Sequence, residues 1–161
     1  MNAILMVSRI ANKVVERSVF VMLGAMVVIV SAGVFWRYVL NAALSWSDEL
    51  VRYVLVWISF LGASMATYRG AHIGIAMLTE RFSERVQRVI TLFVNLLILL
   101  FLGVILYQGV RILPVMAVRV APTLGIRMEV FYTVLPISAA IMILHVIGES
   151  MTVLFNKKKN E

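Results

Sequence analysis

No cysteine occurs in the 161 residues, which excludes a disulfide framework, a thiolate metal site and a cysteine nucleophile. Charge is scarce too. Asp, Glu, Lys and Arg make up 14% of the chain, against about 25% in an ordinary soluble domain. There are two histidines, and no Walker loop, metal-ligand cluster or nucleophile–base pair can be assembled around them. Asp48 and Glu49 lack the further group that acid–base catalysis requires. These absences point away from an enzyme and from any bound cofactor or metal.

What is abundant is hydrocarbon. The chain is 62% hydrophobic with a mean hydropathy of +0.98, beyond the roughly 45–50% apolar content of soluble domains. The apolar residues fall into long runs, as in an integral membrane protein. The net charge of +7 does not indicate nucleic acid. Its basic residues flank the apolar runs instead of forming one stripe, and so read as topology signals.

A helix rises about 1.5 Å per residue, so roughly 20 residues cross a hydrocarbon core of about 30 Å. Four segments qualify: about 18–40, 48–69, 89–111 and 130–150. The first begins with 19 uncharged residues, 18–36, preceded by Arg9, Lys13 and Arg17. A cleaved signal has an apolar stretch of about 7–15 residues. This one is longer and leaves through "FWRYVL", so it is expected to remain as a membrane helix. The third span is the cleanest, with 22 uncharged residues at 89–110. The fourth carries Pro136 near its start, where a missing amide is tolerated best. The expected fold is all-α, a single membrane domain over 1–161 with four transmembrane helices.

Orientation follows from the Lys and Arg in the connections. With the N-terminus inside, ten lie on the cytoplasmic side: Arg9, Lys13, Arg17, Arg69, Arg81, Arg85, Arg88 and Lys157 to Lys159. Five lie outside: Arg37, Arg52, Arg111, Arg119 and Arg127. Both termini are therefore expected in the cytoplasm. Trp36, Tyr38 and Trp46 mark the outer boundary, because amphipathic rings favour the headgroup level.

Two connections are more than turns. In "IGIAMLTERFSERVQR", residues 73–88, Leu78, Phe82, Val86 and Val89 share a helical face opposite a charged one. That pattern predicts an amphipathic cytoplasmic interfacial helix between spans two and three, or an inner extension of span three. Residues 111–129 carry Pro114, Pro122, Gly125 and three arginines, which predicts an irregular outer segment.

The stretch "SWSDELVRYVLVW", residues 45–57, sets charge at the head of a membrane helix. Ser45 and Asp48 fit a capping box, and Arg52 lies within ion-pair reach of Asp48 and Glu49. Trp57 lies 11 residues past Trp46, about 16 Å deeper by helical rise. At that depth a tryptophan packs into protein, where its indole N–H finds an acceptor. Gly62 and Ala66 then form a small-xxx-small face suited to close helix approach. Arg69 and His72 follow at the inner boundary, placed for a partner or an anionic lipid headgroup.

Residues 44–75, "LSWSDELVRYVLVWISFLGASMATYRGAHIGI", resemble the signature region of the small membrane subunit of tripartite ATP-independent periplasmic (TRAP) transporters. The matching positions are Asp48, Glu49, Arg52, Trp57, Phe60 to Gly62, Arg69 and His72. "APTLGIRMEVFYTVLPISAAIMILH", residues 121–145, is similar to the family's last loop and helix, including Tyr132 to Pro136. The resemblance implies a bacterial inner-membrane scaffold beside a large membrane subunit that carries the substrate and sodium sites. It also implies a periplasmic substrate-binding protein delivering an organic acid anion, of the dicarboxylate or sialic acid class. On that basis Asp48, Glu49, Arg52, Trp57, Arg69, His72, Arg111, Arg119 and Arg127 are the candidate partner contacts. Two rivals remain. One is an autonomous four-helix channel or exporter, which needs a mid-membrane acid that spans one and three lack. The other is a haem-carrying redox subunit using His72 and His145 as axial ligands.

Overall fold

The computed structural model describes residues 2–69 and 83–155, all helix, turn and loop apart from one isolated β-bridge. Among the described residues five helices follow in order: α1 (Asn2–Tyr38), α2 (Ser45–Tyr68), α3 (Glu84–Ala117), α4 (Met128–Tyr132) and α5 (Val134–Phe155). Four stretches are long and apolar enough to cross a membrane: Ile4–Tyr38, Ser45–Tyr68, Val86–Ala117 and Met128–Leu154.

Helix α1 starts 16 residues before the expected span. At 37 residues it is about 54 Å long, well beyond the roughly 30 Å that a bilayer core requires. The reason lies in its spacing. Ser8, Asn12, Val15 and Val19 form one buried row and continue the packed face below the apolar run. Arg9, Lys13 and Arg17 are left on an exposed face.

Helix α3 also runs further than expected, through Pro114 to Ala117. Proline removes one helical bond, but an unwound segment in an apolar setting would strand many more backbone groups. The irregular outer segment therefore shrinks to 118–127. Residues 70–82, which hold His72 and most of the expected interfacial helix, lie outside the described residues. Its tail, 84–88, is the first turn of α3.

Helix α5 is the hub, packing on α1, α2 and α3, while α3 meets chiefly α5 and α4. Two rows on α5 make this possible. Val134 faces Val15, Val19 and Leu61 of α1 and α2. Met142 and Val146 face Leu102 of α3. Between lipid-bathed helices apolar burial adds no transfer energy, so close packing and polar contacts must hold them. The α3–α5 crossing meets that need. A Cβ on Gly109 would come 3.1 Å from Pro136 Cδ and 3.2 Å from Pro136 N, so a side chain there would have to push the two helices apart by a few tenths of an ångström.

The outer flanks stay apolar and uncovered. Phe93, Leu97, Leu100, Val104 and Tyr107 form one exposed row on α3, as do Phe20, Val27 and Val34 on α1.

Candidate partner-binding surface

Helix α2 begins without the expected capping box. Ser45 is already helical, the N-cap residue is Leu44, and no side chain caps the free amides. Ser47 turns inward instead, 2% exposed, with its hydroxyl donating to Leu44 O at 2.7 Å. Gly33 makes room for it: a Cβ there would lie 3.0 Å from Ser47 Oγ. The expected pairing of Asp48 with Arg52 is replaced as well. Asp48 takes Arg37 of α1, at 2.5 Å. Among the described residues, Arg52 donates to the Asp48 carbonyl alone, at 3.4 Å. The cross-helix pair wins because Arg37, in the last turn of α1, reaches the carboxylate from outside α2.

Glu49, Tyr53 and Trp57 recur every four residues and share one face of α2. That face grips residues 118–133. One Glu49 oxygen accepts the Thr123 amide at 2.8 Å, the Leu124 amide at 3.2 Å and the Thr123 hydroxyl. The other accepts Tyr53 OH at 3.3 Å. The Tyr53 ring stacks on Phe131, with centroids 3.8 Å apart and planes 10° from parallel. Trp57 Nε1 donates to Phe131 O at 3.1 Å. The acceptor anticipated for Trp57 thus lies within the chain itself.

The gripped loop is held from its own side too. Val120 and Arg127 form an antiparallel bridge, with Ala121 N bonded to Ile126 O and Met128 N to Arg119 O, each at 2.9 Å. Gly125 closes the turn at φ +67, a backbone region open to glycine. Arg119 and Arg127 are brought together on paired backbone, both exposed. Arg127 reaches Glu129 at 3.5 Å. Arg119 has no ion-pair partner among the described residues. Arg111 stands apart on α3, bonded to its own Tyr107 at 3.3 Å and lying over that ring. Between α2 and the loop runs a cleft of about 300 Å³, lined by Ser45, Glu49, Arg52, Tyr53, Pro122 and Thr123.

Arg69 sits at the opposite end of α2, paired with Glu16 at 2.8 Å. His72 falls outside the described residues. A Cβ added at Gly62 would meet nothing within 4 Å, and Ala66 is exposed. Among the described residues, nothing makes the close approach that this small face permits. Tyr53, Thr123 and Phe131 are the participants that sequence reasoning missed. The four-residue spacing of Tyr53 from both Glu49 and Trp57 was the available signal.

Long apolar helices around a thin seam, with 18–36, 53–68, 89–110 and 130–148 free of charged residues, have the make-up of a multi-span helical membrane protein. The sequence agrees with one family over most of this architecture, from the second half of α1 onward. Residues 26–156 match the family of the tripartite ATP-independent periplasmic transporters, DctQ component, and the chain belongs to that family of non-catalytic transporter subunits. It is 27% identical over 88 residues to a TRAP transporter small permease protein of Haemophilus influenzae, covering 55% of each chain. It is 23% identical over 94 residues to the sialic acid TRAP transporter small permease protein of Vibrio cholerae, covering 58% of this chain and 54% of that one. A 70-residue stretch, 44% of this chain, is 33% identical to part of the sialic acid TRAP transporter permease protein of Haemophilus influenzae, where it occupies 11% of the length. The chain spans about half the length of the small-permease relatives it matches.

Proposed function

We propose that this chain is the immobile small membrane subunit of a three-part uptake system in the bacterial inner membrane. It works beside a large permease that carries the substrate and sodium sites. A periplasmic binding protein delivers the substrate, an organic acid anion of the sialic acid or dicarboxylate class. Both termini lie in the cytoplasm, and the Glu49 latch faces the periplasm. Family membership favours this reading over the channel and haem alternatives. So does the matching stretch within a far longer permease chain, which is what a segment that works alongside a permease would produce.

The observation that carries the reading is the latch. Four donors converge on Glu49 and fix a loop that presents Arg119 and Arg127 outward. A preformed cationic patch steers an acidic partner and sets its orientation. The exposed apolar rows of α1 and α3, with the small face of α2 at Gly62 and Ala66, face the large subunit and lipid. Asp48 and Arg52 contribute at the rim, Arg111 further along α3, and Arg69 with His72 at the cytoplasmic end.

The test is reversal of the patch. Arg119→Glu with Arg127→Glu should slow uptake that depends on the binding protein and flatten its salt dependence, while co-purification with the large subunit persists. Uptake of unchanged rate and salt dependence would remove the docking role.

A further inference from the structure

The cleft between α2 and the 118–127 loop, about 300 Å³ in volume, includes Arg52 in its wall, and that cation is left without a counter-ion. We propose that the cleft is a binding site for an organic carboxylate, held by the Arg52 guanidinium. The inference needs no docking partner and stands apart from the role given to Arg119 and Arg127, which form no part of the cleft's lining.

Charge is the first argument. Asp48 and Glu49 lie about one turn from Arg52 on the same helix, a spacing at which either could pair with it. Both are committed elsewhere. Asp48 takes Arg37 at 2.5 Å. Glu49 accepts the Thr123 and Leu124 amides and the hydroxyls of Thr123 and Tyr53. Arg52 spends one donor, Nε, on the Asp48 carbonyl at a long 3.4 Å. Its two terminal nitrogens meet no acceptor among the described residues. The paired N–H groups of a guanidinium match the two oxygens of a carboxylate.

Glu49 belongs to the same wall, and an anion would meet its charge. The donors gathered on Glu49 compensate that charge and hold the carboxylate against the loop. Arg52 is then the group that an incoming anion meets.

Shape is the second argument. Tyr53 and Pro122 supply carbon surface beside Arg52, and Ser45 adds a hydroxyl. The volume lies at the lower end of the range for ligand sites, about 300–1,000 Å³. It suits a small organic acid, or a single Asp or Glu side chain from another protein. A bare inorganic anion would answer the charge but leave the carbon walls unused. The Glu49 latch fixes the loop in advance, so a ligand bears little ordering cost on entry.

Ligand-observed saturation-transfer NMR tests the site. The probe is propionate, titrated into the full-length chain in phosphatidylcholine nanodiscs, with propionamide as its uncharged counterpart. Propionate should give a saturable signal with a Kd on the order of 10 mM, as one exposed charge-assisted contact allows, and propionamide none. Arg52→Gln should weaken binding about tenfold, and Arg52→Lys, which keeps the charge without the fork, only a few-fold. Adding the binding protein at saturation then separates two sources of carboxylate. Loss of the propionate signal assigns the cleft to an acidic side chain of that protein, and a persistent signal assigns it to a free organic acid. The proposal is overturned by a propionate signal that does not saturate, or by an equal signal from propionamide. Both outcomes concern the unmodified chain and need no variant to fold. Unchanged affinity in a folded Arg52→Gln chain would overturn it as well.

Discussion

Glu49 and Thr123, 74 residues apart, are joined at two points: the carboxylate accepts both the Thr123 amide, at 2.8 Å, and its hydroxyl. A single side chain of α2 thereby positions the turn that presents Arg119 and Arg127. Removing the carboxylate should free the loop while leaving the helices in place. Glu49→Ala should speed amide exchange at Thr123 and Leu124 on the order of tenfold, with α2 and α5 still protected. Exchange at the unmodified rate would show that the loop's own backbone bonds suffice.

Trp57 and Phe131 make a comparable link deeper in the protein. Trp57→Phe keeps most of the packing but leaves the Phe131 carbonyl without the indole donor seen at 3.1 Å. Stripping a partner from a half-buried carbonyl should cost about 1–2 kcal/mol, visible as a lower Tm in detergent. Tyr53→Phe retains the 3.8 Å stack and loses only the hydroxyl bond to Glu49, so its Tm should fall less.

The glycines should divide sharply. A methyl at Gly109 meets Pro136 backbone at 3.2 Å, so Gly109→Ala should destabilise by about 1–3 kcal/mol through overpacking. A methyl at Gly62 meets nothing within 4 Å, so Gly62→Ala should leave the isolated chain's Tm unchanged. Gly62→Leu should spare the isolated chain but weaken co-purification with the large subunit.

The Arg37–Asp48 pair is close, yet its side chains are 45% and 59% exposed. A double-mutant cycle on unfolding should return a coupling below about 1 kcal/mol, shrinking as salt rises. A larger, salt-insensitive coupling would mean that the pair is more shielded than its exposure indicates.

Because cysteine is absent, orientation can be read from single introduced thiols without background. Arg119→Cys should react with a membrane-impermeant maleimide added outside the cell, and Lys13→Cys only after permeabilisation. The reverse pattern would invert the topology.

The four spans are legible in the sequence because each is a long uncharged run, and length against bilayer thickness decides. The limits of α1 are not. Charged Arg9, Lys13 and Arg17 read as a flank, although the row from Ser8 to Val19 continues the packed face beneath them. Pro114 looks like a loop signal, but the cost of unpaired backbone keeps α3 intact. At the latch, spacing places Glu49 and Trp57 correctly on α2 and gives Trp57 a protein acceptor. It cannot reveal the opposing residues. Thr123 and Phe131 lie 74 residues from their partners, and helical periodicity identifies which side chains share a face, not what that face meets. The Ser45 cap fails for a related reason: Gly33 opens a niche on α1 for Ser47, which local sequence around Ser45 does not display.

Liposome flux tests the central claim most directly. Under an inward sodium gradient, vesicles holding this chain alone should take up no organic acid anion. Vesicles that also hold the large permease, supplied with the binding protein, should accumulate it. Uptake by this chain alone would contradict the account.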